Sequence, residues 1–272
     1  MKKALTIAGS DSSGGAGIQA DLKTFQELGV YGMTALTVIV AMDPNDGWHH
    51  QVFPVELDII KAQLETIIAG IGVDAMKTGM LPTADIIEMS AFAVKKHGLQ
   101  NVVVDPVMVC KGAGEPLNPE NTECYKQTLI PLATVVTPNN FEASQLSGIK
   151  TIETVEDMKE AARIIQGLGA RYVVVKGGKG IEGETAVDVV YDGKAFEVLE
   201  APKTDTANTH GAGCTFSAAI AAQLAKGECV QSAIATAKAF ITEAIKHSFS
   251  LNRYVGPTNH AAYKAKAVSA RS

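Results

Sequence analysis

Six short runs rich in β-branched and small apolar residues recur along the chain: Ala4–Ala8, Met33–Ala41, Ala75–Thr78, Val102–Asp105, Val135–Thr137 and Tyr172–Val175. Most lack polar alternation, so both faces must be covered, as for strands inside a parallel sheet. Segments of helical spacing fill the intervals, at Gln19–Leu28, Val55–Ala69, Thr83–His97, Asn118–Leu129, Phe141–Ser147 and Val155–Gly167. Gly29, Gly98 and Gly169 stand where helices would stop. A βαβα order repeated this often predicts a doubly wound, three-layer α/β/α architecture with a mostly parallel central sheet. Ala186–Tyr191 and Ala195–Glu200, joined by Asp192-Gly193, predict an antiparallel hairpin at one sheet edge. Helices from Cys214 and from Val230 to Ser248 complete the expected fold. No repeat, low-complexity tract or linker interrupts the pattern, so residues 1–272 read as one domain. The tail after Pro257 is expected to be partly helical or frayed.

The composition, 46% hydrophobic and 19% charged, supplies a sizeable core. A net charge of −5 gives no reason to expect nucleic acid or a membrane surface as partner. The N-terminal apolar run is too short for a signal peptide, and Met33–Met42 is too short to span a bilayer. Cys110, Cys124, Cys214 and Cys229 have no metal-ligand spacing and are too few for a disulfide scaffold of this size. The expectation is a cytoplasmic protein with reduced thiols.

The stretch Asp205–Ala222, DTANTHGAGCTFSAAIAA, sets a Gly-Ala-Gly turn before a helix of small residues. Gly211 and Gly213 lack Cβ, so a ligand can approach the backbone closely. The first helical amides have no intrahelical partner and sit at the positive end of the macrodipole. Together these make a site for a phosphate, or for charge developing on one. Cys214 is the one side chain at that helix mouth with acid–base or nucleophilic potential. The same string also fits a tight turn before a buried helix, with Cys214 as a small core residue.

Ligands of open α/β sheets bind at the carboxyl ends of the strands. Here the first strand leads into Gly9-Ser10-Asp11-Ser12-Ser13-Gly14-Gly15-Ala16-Gly17, and the fourth ends at Asp105-Pro106. The fifth runs into Thr137-Pro138-Asn139-Asn140-Phe141-Glu142, and the sixth into Lys176-Gly177-Gly178-Lys179-Gly180. Any one of these reads equally as an ordinary turn; four on one edge beside a glycine-flanked helix mouth point to a site. Gly15 to Ala20 satisfies the loose dinucleotide pattern G-x-G-x-x-G/A, and Asp43 follows the second strand. A six-residue loop separates that pattern from the first strand, which weakens a dehydrogenase reading. No G-x-x-x-x-G-K-[ST] string occurs.

In order, the segments IAGSDSSGGAGIQADLKTF, MKTGML, VVVDPVM, TPNNFEA, VVVKGG and DTANTHGAGCTFSAAIAA resemble the ribokinase-like vitamin kinases. The resemblance covers nearly the whole chain and is greatest to the hydroxymethylpyrimidine/phosphomethylpyrimidine kinases and related pyridoxal kinases. It implies a ribokinase-like fold and transfer of the ATP γ-phosphoryl group to a hydroxymethyl on a small heteroaromatic ring. By that match Gly211, Ala212, Gly213 and Cys214 form the anion hole, with Cys214 as base where many relatives of the fold carry Asp. A thiol at a helix N-terminus is expected to have a lowered pKa, although nucleotide phosphates oppose the shift. Asn139 and Glu142 are implied to place Mg²⁺, partly through water, with Asp105 as the acidic neighbour. Glu142 also reads as a first-turn carboxylate favoured by the helix dipole. Lys176, Gly177, Gly178, Lys179 and Gly180 are implied to face nucleotide phosphate or ribose, with Asp188 and Lys238 around the nucleotide. Lys238 reads equally as a solvated helix residue.

On the acceptor side the resemblance implies Gly9 and Asp11 at the ring, with Met80 and Val107 as apolar walls. Asp11 would bond a ring nitrogen or hydroxyl, or merely satisfy loop amides. Val109 to Gly114 reads as a glycine-rich flap, about residues 108–116, that closes over the site. Cys110 within it is a candidate to add reversibly to an aldehyde, or an ordinary loop cysteine. His210, before the glycine turn, either orients the flap or phosphates or only caps the turn. The remaining histidines (His49, His50, His97, His247, His260) show no metal spacing, and Trp48 reads as local packing.

One departure bears on specificity. Hydroxymethylpyrimidine kinases usually continue the second strand as Ala-Gln-Asn, the Gln holding the pyrimidine amino edge; this chain reads Ala41-Met42-Asp43. A thioether is at best a weak acceptor, so selection for an amino edge relaxes. The expected substrates are therefore pyridoxal, pyridoxine and pyridoxamine, with residual hydroxymethylpyrimidine activity and a salvage role. The alternatives are a hydroxymethylpyrimidine/phosphomethylpyrimidine kinase of thiamin biosynthesis and a non-catalytic ligand-binding protein on the same fold. ATP and Mg²⁺ are the implied cofactors, and a homodimer the implied assembly.

Overall fold

The computed structural model describes residues 1–108 and 119–269. Its strands are β1 (Lys3–Asp11), β2 (Tyr31–Asp43), β3 (His49–Pro54), β4 (Ala75–Thr78), β5 (Val102–Val104), β6 (Val135–Val136), β7 (Tyr172–Gly178), β8 (Thr185–Tyr191) and β9 (Phe196–Pro202). They form one sheet in the order β3-β2-β1-β4-β5-β6-β7-β8-β9. The five neighbouring pairs from β2 to β7 are parallel, while β3 and the β8–β9 hairpin run antiparallel at the two edges.

The helices are α1 (Gly17–Glu27), α2 (Leu57–Leu64), α3 (Ala84–His97), α4 (Pro119–Cys124), α5 (Asn140–Ser147), α6 (Val155–Gln166), α7 (Ala212–Ala225), α8 (Val230–Lys246) and α9 (Ala262–Ser269). Two apolar cores lie on opposite faces of the sheet. On one face Leu5, Ile7, Met76, Val104 and Val136 pack with Ile60, Ile87 and Ile165 of α2, α3 and α6. On the other, Ala4, Val103, Val135 and Val174 pack with Ala218, Ala221, Ala222 and Phe240 of α7 and α8. Alternate residues of one strand thus enter different cores, which explains the continuous apolar runs.

The hairpin at β8–β9 is as expected, but the sheet has an antiparallel element at its other edge too. β3, HHQVFP, is mostly exposed, so it carries none of the buried-strand pattern that marks the interior strands. The helix expected over Val55–Ala69 starts as α2 and continues in π-helical turns, Glu65–Ile71; Pro119–Cys124 likewise passes into π-helical turns, Tyr125–Leu129. The tail is helical at α9. Among the described residues no helix is long and apolar enough to cross a membrane.

Two strand irregularities aim backbone at one end of the sheet. The register of β1 shifts between Ala8 and Ser10, and that of β7 between Lys176 and Gly178. Bulges of this kind redirect side chains beside functional sites. Both fall in segments that sequence had marked.

Candidate active site

The carboxyl ends of the strands open into a cavity of about 730 Å³. Its wall brings together Gly9, Asp11, Met42, Met80, Asp105, Val107, Asn139, Glu142, Lys176 to Gly180, Asp188, Gly211 to Cys214 and Lys238. Nineteen of the twenty residues expected at the site thus share one space; Cys110 and the flap segment from 109 onward lie outside the described residues.

At the centre is the mouth of α7. Gly211 caps the helix in the left-handed region at φ 78°. A Cβ there would sit 1.9 Å from the Gly15 carbonyl oxygen, so only glycine lets the anion loop close on the loop after β1. The Ala212 amide donates to the Thr209 carbonyl at 3.2 Å, which takes it out of the expected anion-binding set. Gly213 and Cys214 remain at helix positions whose amides have no intrahelical acceptor.

Asp105, directly after β5, joins that mouth to the sheet. Its Oδ1 accepts from Lys176 Nζ at 2.9 Å and from Thr137 Oγ1 at 3.2 Å, and its Oδ2 accepts from Ser217 Oγ at 3.2 Å. Burial disfavours the ionised carboxyl, but Lys176 and Lys77 with these hydrogen bonds hold its pKa below the usual value. Ser217 Oγ in turn bonds the carbonyls of Gly213 and Cys214, each at 3.1 Å. The Lys176 ammonium lies 3.3 Å from where a Gly213 Cβ would be. A fixed cation therefore stands against the anion loop.

Asn139 and Glu142 form a capping box on α5. The Glu142 amide donates to Asn139 Oδ1 at 2.9 Å and the Asn139 amide to Glu142 Oε2 at 2.8 Å. The first-turn reading of Glu142 is thus correct structurally, and the side chain also lines the cavity. Burial, with Asp105 adding to it and Lys176 opposing, pushes its carboxyl up to about 7. Lys238 is not a solvated helix residue: its Nζ donates to Asp188 Oδ2 at 2.8 Å and to the Ala186 carbonyl at 3.0 Å.

The expected direction of the Cys214 pKa needs correction, and Asp11 takes one of its two expected roles. Burial pushes the Cys214 thiol up to about 11 rather than down; Lys77 and the Gly17 amide oppose that rise, while Asp21 and Asp105 add to it. The helix terminus is present, but desolvation outweighs it. Asp11 uses its carboxylate within the protein: Oδ1 accepts from the Ser13 amide at 2.8 Å and Oδ2 from the Ala16 amide at 2.9 Å. His210 Nε2 also lies 2.6 Å from Asp11 Oδ2. The Asp11–His210 contact clamps the loop after β1 to the anion loop, so His210 does more than cap a turn.

Sequence reasoning missed several wall residues. Phe216, Ile241, Thr242 and Ile245 give a largely apolar surface from α7 and α8, and His50 from β3 faces the acceptor end. Lys77 of β4 also lines the cavity, fully buried. Its signal was a lysine inside an otherwise interior strand. Trp48 stacks on Tyr254 with ring centroids 5.7 Å apart, as a local packing residue would.

The sheet order, the helix mouth and the cavity define a ribokinase-like small-molecule kinase, and the chain belongs to the phosphomethylpyrimidine kinase family, whose model matches residues 11–259. It is 67% identical over 264 residues to the pyridoxine kinase of Bacillus subtilis (strain 168), covering 97% of each chain. It is 43% identical to that organism's hydroxymethylpyrimidine/phosphomethylpyrimidine kinase over 267 residues, 98% of this chain and 97% of the relative. The solved pyridoxal kinase of Staphylococcus aureus in complex with AMP-PCP and pyridoxal superposes with a TM-score of 0.92 at 50% identity. That match covers 97% of this chain and 94% of that one.

Proposed function

We propose that this chain transfers the γ-phosphoryl group of ATP to the 5-hydroxymethyl group of pyridoxal, pyridoxine and pyridoxamine, with secondary use of hydroxymethylpyrimidine. The observation that carries the reading is the shared cavity. One end has the glycine-rich β7 loop and the apolar α7–α8 wall for a nucleotide, and the other has Gly9, Met80 and Val107 for a flat ring. The mouth of α7 lies between them. The relatives' vitamin B6 kinase activities agree with it.

Phosphoryl transfer rests mainly on alignment and charge neutralisation. Gly213 and Cys214 offer backbone amides to the moving phosphoryl group. Lys176, held by Asp105, adds a fixed positive charge beside them, and its hydrogen bond keeps it from swinging into solvent. Cys214 receives the acceptor proton: a thiolate with high proton affinity is a strong acceptor, although few copies are ionised at neutral pH. A loose transition state asks for that proton late, which suits such a base. Asp188 and Lys238 brace the β8 end of the nucleotide wall, and Lys179 and Gly177 to Gly180 follow the phosphates. Met80, Val107 and Met42 set the ring plane, while the Asp11–His210 clamp shapes the loop beneath it.

Mg²⁺ fits the donor set. Asp105 and Glu142 are hard carboxylates that already accept from Lys176, Thr137, Ser217 and the Asn139 amide, so they would hold, partly through water, an ion that keeps waters and phosphate ligands. Bound there, the ion would supply positive charge that offsets phosphate charge. We further infer a homodimer acting in cytoplasmic vitamin salvage; the free thiols of Cys124, Cys214 and Cys229 fit a reducing compartment. Cys110 is retained as a candidate aldehyde partner.

ADP release from Mg-ATP, measured against pyridoxal, pyridoxine, pyridoxamine, hydroxymethylpyrimidine and its phosphate, tests the reading. Turnover with all three B6 forms is expected; turnover confined to the two pyrimidines would overturn it.

A further inference from the structure

Trp48 is the chain's one tryptophan, and among the described residues it is the one non-glycine in the left-handed region, at φ 69°. A bulky side chain is unfavourable there. Its indole Nε1 is buried with no hydrogen-bond partner among the described residues, a second penalty. Both fall on a half-buried residue whose neighbours in the β2–β3 turn are exposed. A glycine would make the same turn without strain, so local packing alone does not account for a tryptophan.

Tyr254 holds it in place. The two rings stack with centroids 5.7 Å and planes 15° apart, and the Arg253 guanidinium lies 4.6 Å from the Tyr254 ring centre. Asn252 Oδ1 braces Tyr254 from behind, accepting from the Tyr254 and Val255 amides at 2.8 and 2.9 Å. Just beyond, the His210 amide donates to the Gly256 carbonyl at 3.1 Å, and the Thr258 amide donates to the His210 carbonyl at 3.3 Å. The segment carrying Tyr254 is thus tied to the anion loop.

On the other side of the stack, the Trp48 amide donates to the Asp43 carbonyl at 3.0 Å. That bond closes the turn whose flanks, Met42 and His50, pair across β2 and β3. Both flanks line the acceptor end of the cavity, whereas neither Trp48 nor Tyr254 is among its wall residues. We propose that Tyr254 is a positioning residue. Stacked on Trp48, it fixes the Met42–His50 wall relative to the mouth of α7, and so sets where the acceptor ring lies against the phosphoryl group. This rests on the reading of that end of the cavity as the acceptor site.

Tyr254→Ala, Tyr254→Phe and Trp48→Gly test the role. Tyr254 is 42% exposed, so its truncation should cost little stability. In Tyr254→Ala, kcat/KM for pyridoxine should fall about tenfold or more, while KM for ATP stays within about twofold of the parent. Tyr254→Phe keeps the stacking face and should match the parent. Trp48→Gly accepts φ 69° without strain, so it should melt close to the parent yet lose pyridoxine kcat/KM as Tyr254→Ala does. A merely structural stack would leave Trp48→Gly with parental kinetics, and that result overturns the proposal. A loss in Tyr254→Phe equal to that in Tyr254→Ala overturns it too. If Tyr254→Ala does not fold, Trp48→Gly decides by itself.

With one tryptophan in the chain, intrinsic emission reports the contact. It should move to longer wavelength in Tyr254→Ala and stay in place in Tyr254→Phe; parental emission in Tyr254→Ala would overturn the proposal. Calorimetry with AMP-PCP present should show pyridoxine binding weakened in Tyr254→Ala and Trp48→Gly, and unchanged affinity in both would overturn it. That measurement needs no turnover. A parent that bound pyridoxine without phosphorylating it would contradict the kinase reading, and the role of Tyr254 would still be decided by affinity.

Discussion

Gly211→Ala asks whether the anion loop and the loop after β1 must touch. Gly211 lies at φ 78°, where an L side chain costs about 1–2 kcal/mol. Its new Cβ would meet the Gly15 oxygen at 1.9 Å, against ordinary contact at 3.4 Å, so one backbone must move by about 1.5 Å. Either movement separates Cys214 from the loop that carries Asp11. A misplacement of about 1 Å at a reacting centre costs roughly 100-fold, so kcat/KM for pyridoxine should fall at least that far. Gly227→Ala is the matched control. It lies at φ 91° with nothing within 4 Å of the added Cβ, and so pays the backbone strain alone. Its melting temperature should drop by about 2–8 °C, with turnover unchanged. Steady-state ADP release and thermal melts on both variants decide the matter. Turnover in Gly211→Ala within threefold of the parent, at any melting temperature, would refute the argument.

Asp105→Asn should leave Lys176 without its ion-pair partner and lower kcat by about 100-fold or more, measured at saturating ATP and magnesium. Since burial puts the Cys214 thiol at about 11, its alkylation rate should rise close to tenfold per pH unit from pH 7 to 9.5; a plateau below pH 8 would contradict that. His260, buried against Thr215 Oγ1 at 3.0 Å, is held down to about 4 from 6.5. Its neutral form is native, so the unfolded chain binds a proton first. Stability should be unaffected by this group above pH 6.5 and decline by about 3 kcal/mol as pH falls to 4. Urea unfolding of His260→Gln against the parent across that range reads the difference. Met42→Gln restores an amide beside the ring and should shift the kcat/KM ratio toward hydroxymethylpyrimidine by about 10- to 100-fold, measured in a direct competition assay.

The interior of the fold was legible because each interior strand enters two apolar cores and so shows no polar face. β3 was not, since an exposed edge strand of His, Gln and Phe has no burial to record. The site's loops were legible as glycine-rich segments at strand ends, and the ordered motifs gave them roles. Side-chain partners were not: Lys77 and Asp21 lie 56 positions apart, and Asp11 and His210 lie 199 apart. The Cys214 thiol shows the same limit. Sequence supplies the helix terminus that lowers a thiol pKa, while only the packed chain supplies the burial that raises it.

A crystal structure of this chain with AMP-PCP, magnesium and pyridoxine would examine the mouth of α7 itself. The terminal phosphate should lie about 3 Å from the Gly213 amide. The pyridoxine 5-hydroxymethyl oxygen should stand between that phosphorus and Cys214 Sγ, about 3–3.5 Å from the phosphorus. A terminal phosphate held away from Gly213, or a hydroxymethyl group turned from Cys214, would contradict the account.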